Sequence, residues 1–293
     1  MLSTIISSFE SAEHVSIDPL MEQVVMMRVL GLIRDDAARC LLRFAVDQMG
    51  YNILIGRNVN FRPKEYTSIL GSGKFFLFLK RLFSKEGDSV FKKIKEVNPI
   101  FVFLVHDALW HFDIYSDAFC KMKMIHIDRH PVDLVYSWFS KGYGADFTHN
   151  SSSGTVILQA EDKQLLYYTA GKEDEYSRMP EADRVIHMVK DLTDKHFIKY
   201  NSLSEEEKGK VKIVIFEKLV TDPEPVLKEL TRFLSTKMTK HTLVVCRKQR
   251  CPRRLNKEDR EKKFEKIKES CSTEFFKILT GMTSDYELRN GLK

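Results

Sequence analysis

Lys123-Met-Ile-His-Ile-Asp-Arg129-His-Pro131-Val-Asp133-Leu-Val-Tyr-Ser137-Trp138 is the stretch that decides the fold class of this chain. Its first half is a short apolar run rich in isoleucine, the pattern of a buried strand. An arginine follows. Pro131 then supplies the fixed φ favoured at the first position of a helix, and the helical pattern runs through Trp138. A strand that passes directly into a helix is half of a βαβ unit, the building block of a parallel sheet covered by helices.

Working outward, the runs 51–55, 100–105, 124–127 and 211–216 all read as buried strands, being apolar and bounded by polar or turn residues. Helical spacing fills the intervals. An i, i+3, i+4, i+7 stripe through Met21, Val24, Val25, Arg28 and Leu32 predicts a helix over 20–50 that breaks near Gly31. Further helices are predicted over 75–83, 89–97, 180–200 and 222–234, the last capped by Thr221 or Asp222. A final one is predicted over 256–279, with Asn256 as its cap and alternating charge from Glu258 to Lys268. Residues 150–154 read as a polar loop and 142–147 as irregular. No linker divides the chain, so one domain over 1–293 is expected.

Composition narrows the class. The 293 residues carry 47 Lys and Arg against 41 Asp and Glu, a net charge of +6, which suits an anionic small ligand at least as well as nucleic acid. A hydrophobic share of 43% with 20 Phe supplies a core, and charges balanced in sign argue against disorder. The apolar runs are too short to span a bilayer, and the amino terminus lacks the pattern of a signal peptide. Cys40, Cys120, Cys246, Cys251 and Cys271 are odd in number and without metal spacing, so free thiols in a reducing, cytoplasmic compartment are expected. His111, His126 and His130 have no partner at ligand spacing and read as core or surface histidines, with no metal expected.

Arg129 stands at the carboxyl end of a strand, where open α/β sheets bind ligands. Its guanidinium can clasp a phosphate through two hydrogen bonds and keeps its charge. The N–H groups of the helix begun by Pro131 favour the same anion. Ser137 lies roughly 9 Å along that helix from Pro131, at about 1.5 Å per residue, and offers a hydroxyl. The plain alternative is an arginine paired with a carboxylate and a serine facing a neighbouring helix.

The pattern R-x-P-x-D-x-x-x-S after an apolar strand is similar to the 3′-phosphate-binding motif of PAPS-dependent sulfotransferases. Downstream, Lys212-Ile-Val-Ile-Phe216-Glu217-Lys-Leu219 followed by Asp222-Pro223 resembles that family's strand and Y-E-x-L segment, with Phe216 in place of its tyrosine. The L-x-x-E sequence at Leu255 to Glu258 resembles the start of the family's last helix. The resemblance runs in order from residue 1 to about 287. It implies a P-loop-NTPase-like, sulfotransferase-type three-layer α/β fold, with a parallel sheet of about four strands whose first strand is missing. It also implies transfer of a sulfuryl group from PAPS, released as adenosine 3′,5′-bisphosphate, to a hydroxyl or amine acceptor. Arg129 and Ser137 would then hold the 3′-phosphate.

Such transfer needs a base. His106, 23 positions before Arg129, resembles the catalytic histidine of cytosolic members, and imidazole titrates near neutrality. Its alternative is a histidine bonded to Asp107 or a loop. Asp18 resembles the carboxylate that carbohydrate sulfotransferases place after their first helix; otherwise it is a turn residue before Pro19. In the basic run 246–254, Arg247, Lys248 and Arg250 fall where the family closes a late basic loop on the nucleotide, although its R-K-G triplet is absent. Read from charge alone, that run is a solvated loop or an RNA-binding patch.

Residues 1–6 resemble the helix that follows the family's 5′-phosphosulfate loop. That loop is not matched anywhere, since Gly71-Ser72-Gly73-Lys74 lacks the required spacing. The expectation is an N-terminally truncated chain with weak transfer, or a degenerate member without donor-activating apparatus. Two other readings stay open: a catalytically inactive binding protein of this fold, and an RNA-binding protein that uses residues 247–254.

Overall fold

The structure is a computed structural model that describes residues 1–63, 65, 67–71, 73–145, 157–160, 163–166 and 171–292. Its first half is helical: α1 (Leu2–Ile6), α2 (Pro19–Val29), α3 (Asp35–Leu54), α4 (Phe75–Arg81), α5 (Asp88–Val97) and α6 (Phe112–Ala118). α2 begins where Asp18 accepts a hydrogen bond from the Leu20 N–H and Pro19 takes the first helical position. It ends before Gly31, whose φ of 71° no ordinary helical residue adopts, so the expected break is present. The expected strand at 51–55 is not. Those residues lie at the end and just beyond the end of the 20-residue α3, whose buried Ala38, Leu42, Ala45 and Leu54 keep one helical face against its neighbours. A short apolar run fits either element by pattern alone, and the long helix behind it prevails.

β1 (Met124–Asp128) passes through Arg129 and His130 into α7 (Pro131–Phe139), as the deciding stretch predicts. An unforeseen antiparallel pair, β2 (Ile157–Ala160) with β3 (Lys163–Leu166), comes next. The expected loop at 150–154 lies outside the described residues, as does part of 142–147. α8 (Glu173–Arg178), α9 (Glu181–Ser202) and α10 (Glu205–Lys208) lead to β4 (Val211–Ile215). Phe216, expected as the last residue of that strand, instead opens α11 (Phe216–Thr221). α12 (Pro223–Phe233), α13 (Thr242–Lys248), α14 (Lys257–Ser270) and α15 (Thr273–Asn290) complete the order.

The single final helix expected over 256–279 is two. Asn256 caps α14 by accepting from the Glu258 N–H at 2.9 Å. The helix stops at Cys271, because the Ser272 N–H donates to the buried Asp183 of α9 at 2.8 Å and the Ser272 side chain caps α15. A tertiary acceptor has captured an N–H that an unbroken helix would have used.

The described architecture is mixed α/β and mostly helical, with a small parallel sheet. Of the four expected strands, 124–127 and 211–216 form that sheet, β1 against β4 in register from Met124↔Val211 to Asp128↔Ile215. Residues 100–105 are extended without joining a ladder. They make two parallel bridges to the 11–16 segment, Ala12↔Ile100 and Ser16↔Phe103. The Glu13 N–H donates to the Ile100 carbonyl at 2.7 Å and the Leu104 N–H to the Ser16 carbonyl at 3.0 Å.

Side chains alternate across β1 and β4 as pleating requires. Met124, Val211 and Ile213 pack with α2, α3 and α6; Ile125 and Val214 pack with α1, α11 and α12. A third cluster joins Val132 and Val135 of α7 to Val185 and Val189 of α9, Ile267 of α14 and Leu279 of α15. Each such fully buried aliphatic side chain contributes about 1.5–3 kcal/mol over its exposed state. This packing holds α7 in place, and α7 carries the candidate site.

Candidate functional site

Arg129 sits between β1 and α7, in a cleft of about 260 Å³ that it shares with Phe216 and the amino-terminal part of α14. The cleft is cationic. Arg253, Arg254, Arg260 and Lys263 line it with Arg129, against Asp133 and Asp259. The Arg129 guanidinium lies over the Phe216 ring at 4.9 Å, and Arg253 lies over the same ring at 5.4 Å. Two guanidiniums on one ring keep like charges close, which the ring's negative faces partly offset. Arg129 Nε is buried and makes no hydrogen bond. Burial pulls the Arg129 pKa down; Asp133 and Glu217 support its charge, whereas Arg253 and Arg260 oppose it.

Asp133 is the counter-charge, reached by Arg260 Nε at 3.0 Å and Lys263 Nζ at 2.9 Å. Burial works to raise its pKa, yet the Lys263 hydrogen bond and the Arg260 charge hold it below the usual carboxylate range. Behind it, the buried Glu217 accepts from the His130 N–H at 3.1 Å and from the Tyr286 hydroxyl, with Arg260 at 3.7 Å. The Glu-x-Leu match at 217–219 thus coincides with a buried hub that joins the β1–α7 junction to α14 and α15. The amino terminus of α14 also faces the cleft through Asn256 and Asp259, adding the positive end of a 14-residue helix.

Ser137 lies half-buried on α7, one turn beyond Asp133, and is not part of the cleft lining. Arg247 and Lys248 are exposed at the end of α13, and Arg250 is exposed beyond it; none of the three lines the cleft. From the same basic run it is Arg253 and Arg254 that do. The Arg253 N–H bonds the Val220 carbonyl of α11 at 2.7 Å and so anchors its backbone beside Phe216.

His106 is exposed, and Glu22 of α2 holds it. Its backbone N–H donates to Glu22 Oε1 at 2.8 Å, and its Nδ1 lies 2.8 Å from the same oxygen. The Glu22 hydrogen bond raises the His106 pKa, the Glu22 and Asp107 charges add to the rise, and the Lys141 charge acts against it. Asp18 is engaged elsewhere, as the cap of α2 at 2.9 Å from the Leu20 N–H. Lys141 follows the carboxyl end of α7, so this helix runs from the cationic cleft toward the charge environment of His106. Its nine residues span roughly 13 Å.

Sequence reasoning missed Glu22, whose position four residues after a helix cap places it on the first turn of α2. It also missed Arg260 and Lys263, because a helix of alternating charge reads as a solvated face. Among the described residues no group of His, Cys, Asp and Glu is arranged to hold a metal ion, and no helix is long and apolar enough to cross a membrane. All five cysteines are free thiols.

No family model matches this chain, and no curated protein matches it. Among solved structures, it is similar to the sulfotransferase domain from the curacin biosynthetic pathway. The identity is 11% and the TM-score 0.41, over 83% of this chain and 71% of that one.

Proposed function

We propose that this chain binds a phosphorylated nucleotide in the Arg129 cleft and transfers a sulfuryl group from PAPS to a hydroxyl or amine acceptor. The observation that carries the reading is the Arg129 guanidinium itself. It is half-buried with an unused Nε, stands at a strand tip before Pro131, and is surrounded by four further cations. A partly desolvated guanidinium with an unused N–H, set among further cations, gains most from a dianionic phosphate, which supplies several acceptors at once. The motif resemblance assigns that phosphate to the 3′ position of the nucleotide.

In this reading Glu22 fixes the His106 ring through Nδ1 and leaves Nε2 to take the acceptor's proton. The acceptor oxygen or nitrogen bonds to sulfur as the bond from sulfur to the 5′-phosphate oxygen breaks. Adenosine 3′,5′-bisphosphate departs with that electron pair.

Calorimetry with adenosine 3′,5′-bisphosphate tests the binding half. Saturable binding is expected, weakened about tenfold or more by Arg129→Ala, since hydrogen bonds to charged groups are worth about 1.5–3 kcal/mol. Adenosine 5′-monophosphate, lacking the 3′-phosphate, should bind more weakly and respond little to the substitution. Absence of binding, or equal affinity in Arg129→Ala, would remove the site.

A further inference from the structure

One face of α4 is poorly suited to water. Phe76 and Phe83 are 81% and 90% exposed, the two most exposed large apolar side chains among the described residues. Phe76, Lys80 and Phe83 stand at i, i+4 and i+7, on one side of α4 and the turn that continues it, and the exposed Leu77 borders them. The other side holds the buried Phe78 and Arg81. Arg81 donates to both carboxylate oxygens of the buried Glu13, at 2.7 and 2.8 Å. α4 therefore cannot roll its phenylalanines inward without stranding a buried ion pair, which is strongly unfavourable. The aromatic face stays outward.

Its surroundings are basic. Lys80 lies between the two phenylalanines, and Lys85 is exposed just beyond them. The neighbouring Glu86 is paired with Arg57 at 2.6 Å. Aromatic rings interleaved with lysines match a surface that is apolar below and anionic above. They do not suit self-pairing, because a two-fold contact would bring the Lys80 side chains of two copies together.

We propose that the Phe76–Phe83 face is a peripheral docking surface for anionic lipid bilayers. The two rings insert at headgroup depth, and Lys80 and Lys85 lie among the lipid phosphates and carboxylates.

Flotation with phosphatidylcholine vesicles, with and without phosphatidylserine, tests this. The protein should float with the phosphatidylserine vesicles and not with phosphatidylcholine alone. Replacing both rings (Phe76→Ser with Phe83→Ser) should cut vesicle affinity about tenfold or more, and Lys80→Glu with Lys85→Glu should do the same by reversing charge. All four side chains are outward-facing, so circular dichroism and the melting temperature should stay at wild-type values. The proposal fails if the wild-type protein ignores phosphatidylserine vesicles, if it binds both vesicle types equally, or if the serine variant binds as well as wild type. It also fails if sedimentation shows a dimer that the serine variant dissolves while neither protein binds vesicles; the face would then belong to a second copy.

Discussion

The Tyr286 hydroxyl of α15 donates to Glu217 Oε2 of α11 across 69 positions of sequence, closing the wall behind the cationic cleft. Burial, then the Glu217 hydrogen bond, raises the Tyr286 pKa, so the phenol remains a donor at every working pH. Tyr286→Phe should leave a buried carboxylate short of one donor and cost about 1–3 kcal/mol of stability in urea unfolding. An unchanged midpoint would mean that Arg260 and the His130 N–H satisfy Glu217 by themselves.

Glu13 and Arg81 form a second buried contact, each side chain only 6% and 5% exposed. Arg81→Met alone should destabilise by about 3–5 kcal/mol, because it leaves the Glu13 charge buried without its partner. Combining it with Glu13→Gln should recover a large part of that loss. A double-mutant cycle by chemical denaturation measures the coupling, and strict additivity would contradict a shared ion pair.

His106 should titrate above 6.5, because the Glu22 hydrogen bond raises it. Stabilisation from the imidazolium–carboxylate contact is complete below the unfolded histidine value and is lost as pH rises through the higher folded one. Glu22→Gln should bring the titration back down, read by NMR of the His106 ring. Any transfer activity that uses His106 as base should then rise at lower pH in the variant than in wild type.

His111, His126 and His196 go the opposite way, held near about 3, 3 and 4 first of all by burial. The His126 and His196 rings meet edge to face, with centroids 4.7 Å apart, and His196 Nε2 lies 3.7 Å from Asp107. Below pH 6.5 the unfolded chain binds protons that the folded chain refuses. Stability present above 6.5 should therefore fall progressively toward about 4, by at most about 1.4 kcal/mol per histidine per pH unit. Urea midpoints measured across that range give the slope. His126→Phe should make it shallower, and a wild-type slope in the variant would place His126 outside the effect.

The β1–α7 junction was legible because its determinants are local: an isoleucine-rich run, then Arg129 and Pro131 in succession. The run 51–55 reads as a strand because its four apolar residues, interrupted only by Asn52, are too few to show a helical period, and only the stripe from Ala38 to Leu54 assigns them to a helix. The break at Cys271 depends on Asp183, 89 positions away from Ser272, which no local pattern reveals. The cleft divides in the same manner. Arg129 was visible at its strand tip, whereas Arg260 and Lys263 become cleft residues only once α14 packs on α7 and presents them to Asp133.

The narrowness of the β1–β4 sheet bears on the order in which the chain assembles. The bond from His130 to Glu217 at the end of that pair joins residues 87 positions apart, with the 22-residue α9 between them. Helices form within about a microsecond, whereas a pairing this distant must first close a long loop and lose the entropy of that closure. Pulse-labelled hydrogen exchange during refolding should thus find the α9 amides protected while those of His126 and Val214, which face the seam between the strands, still exchange. The two strands would be the last to lock, joining segments that the helices have already gathered.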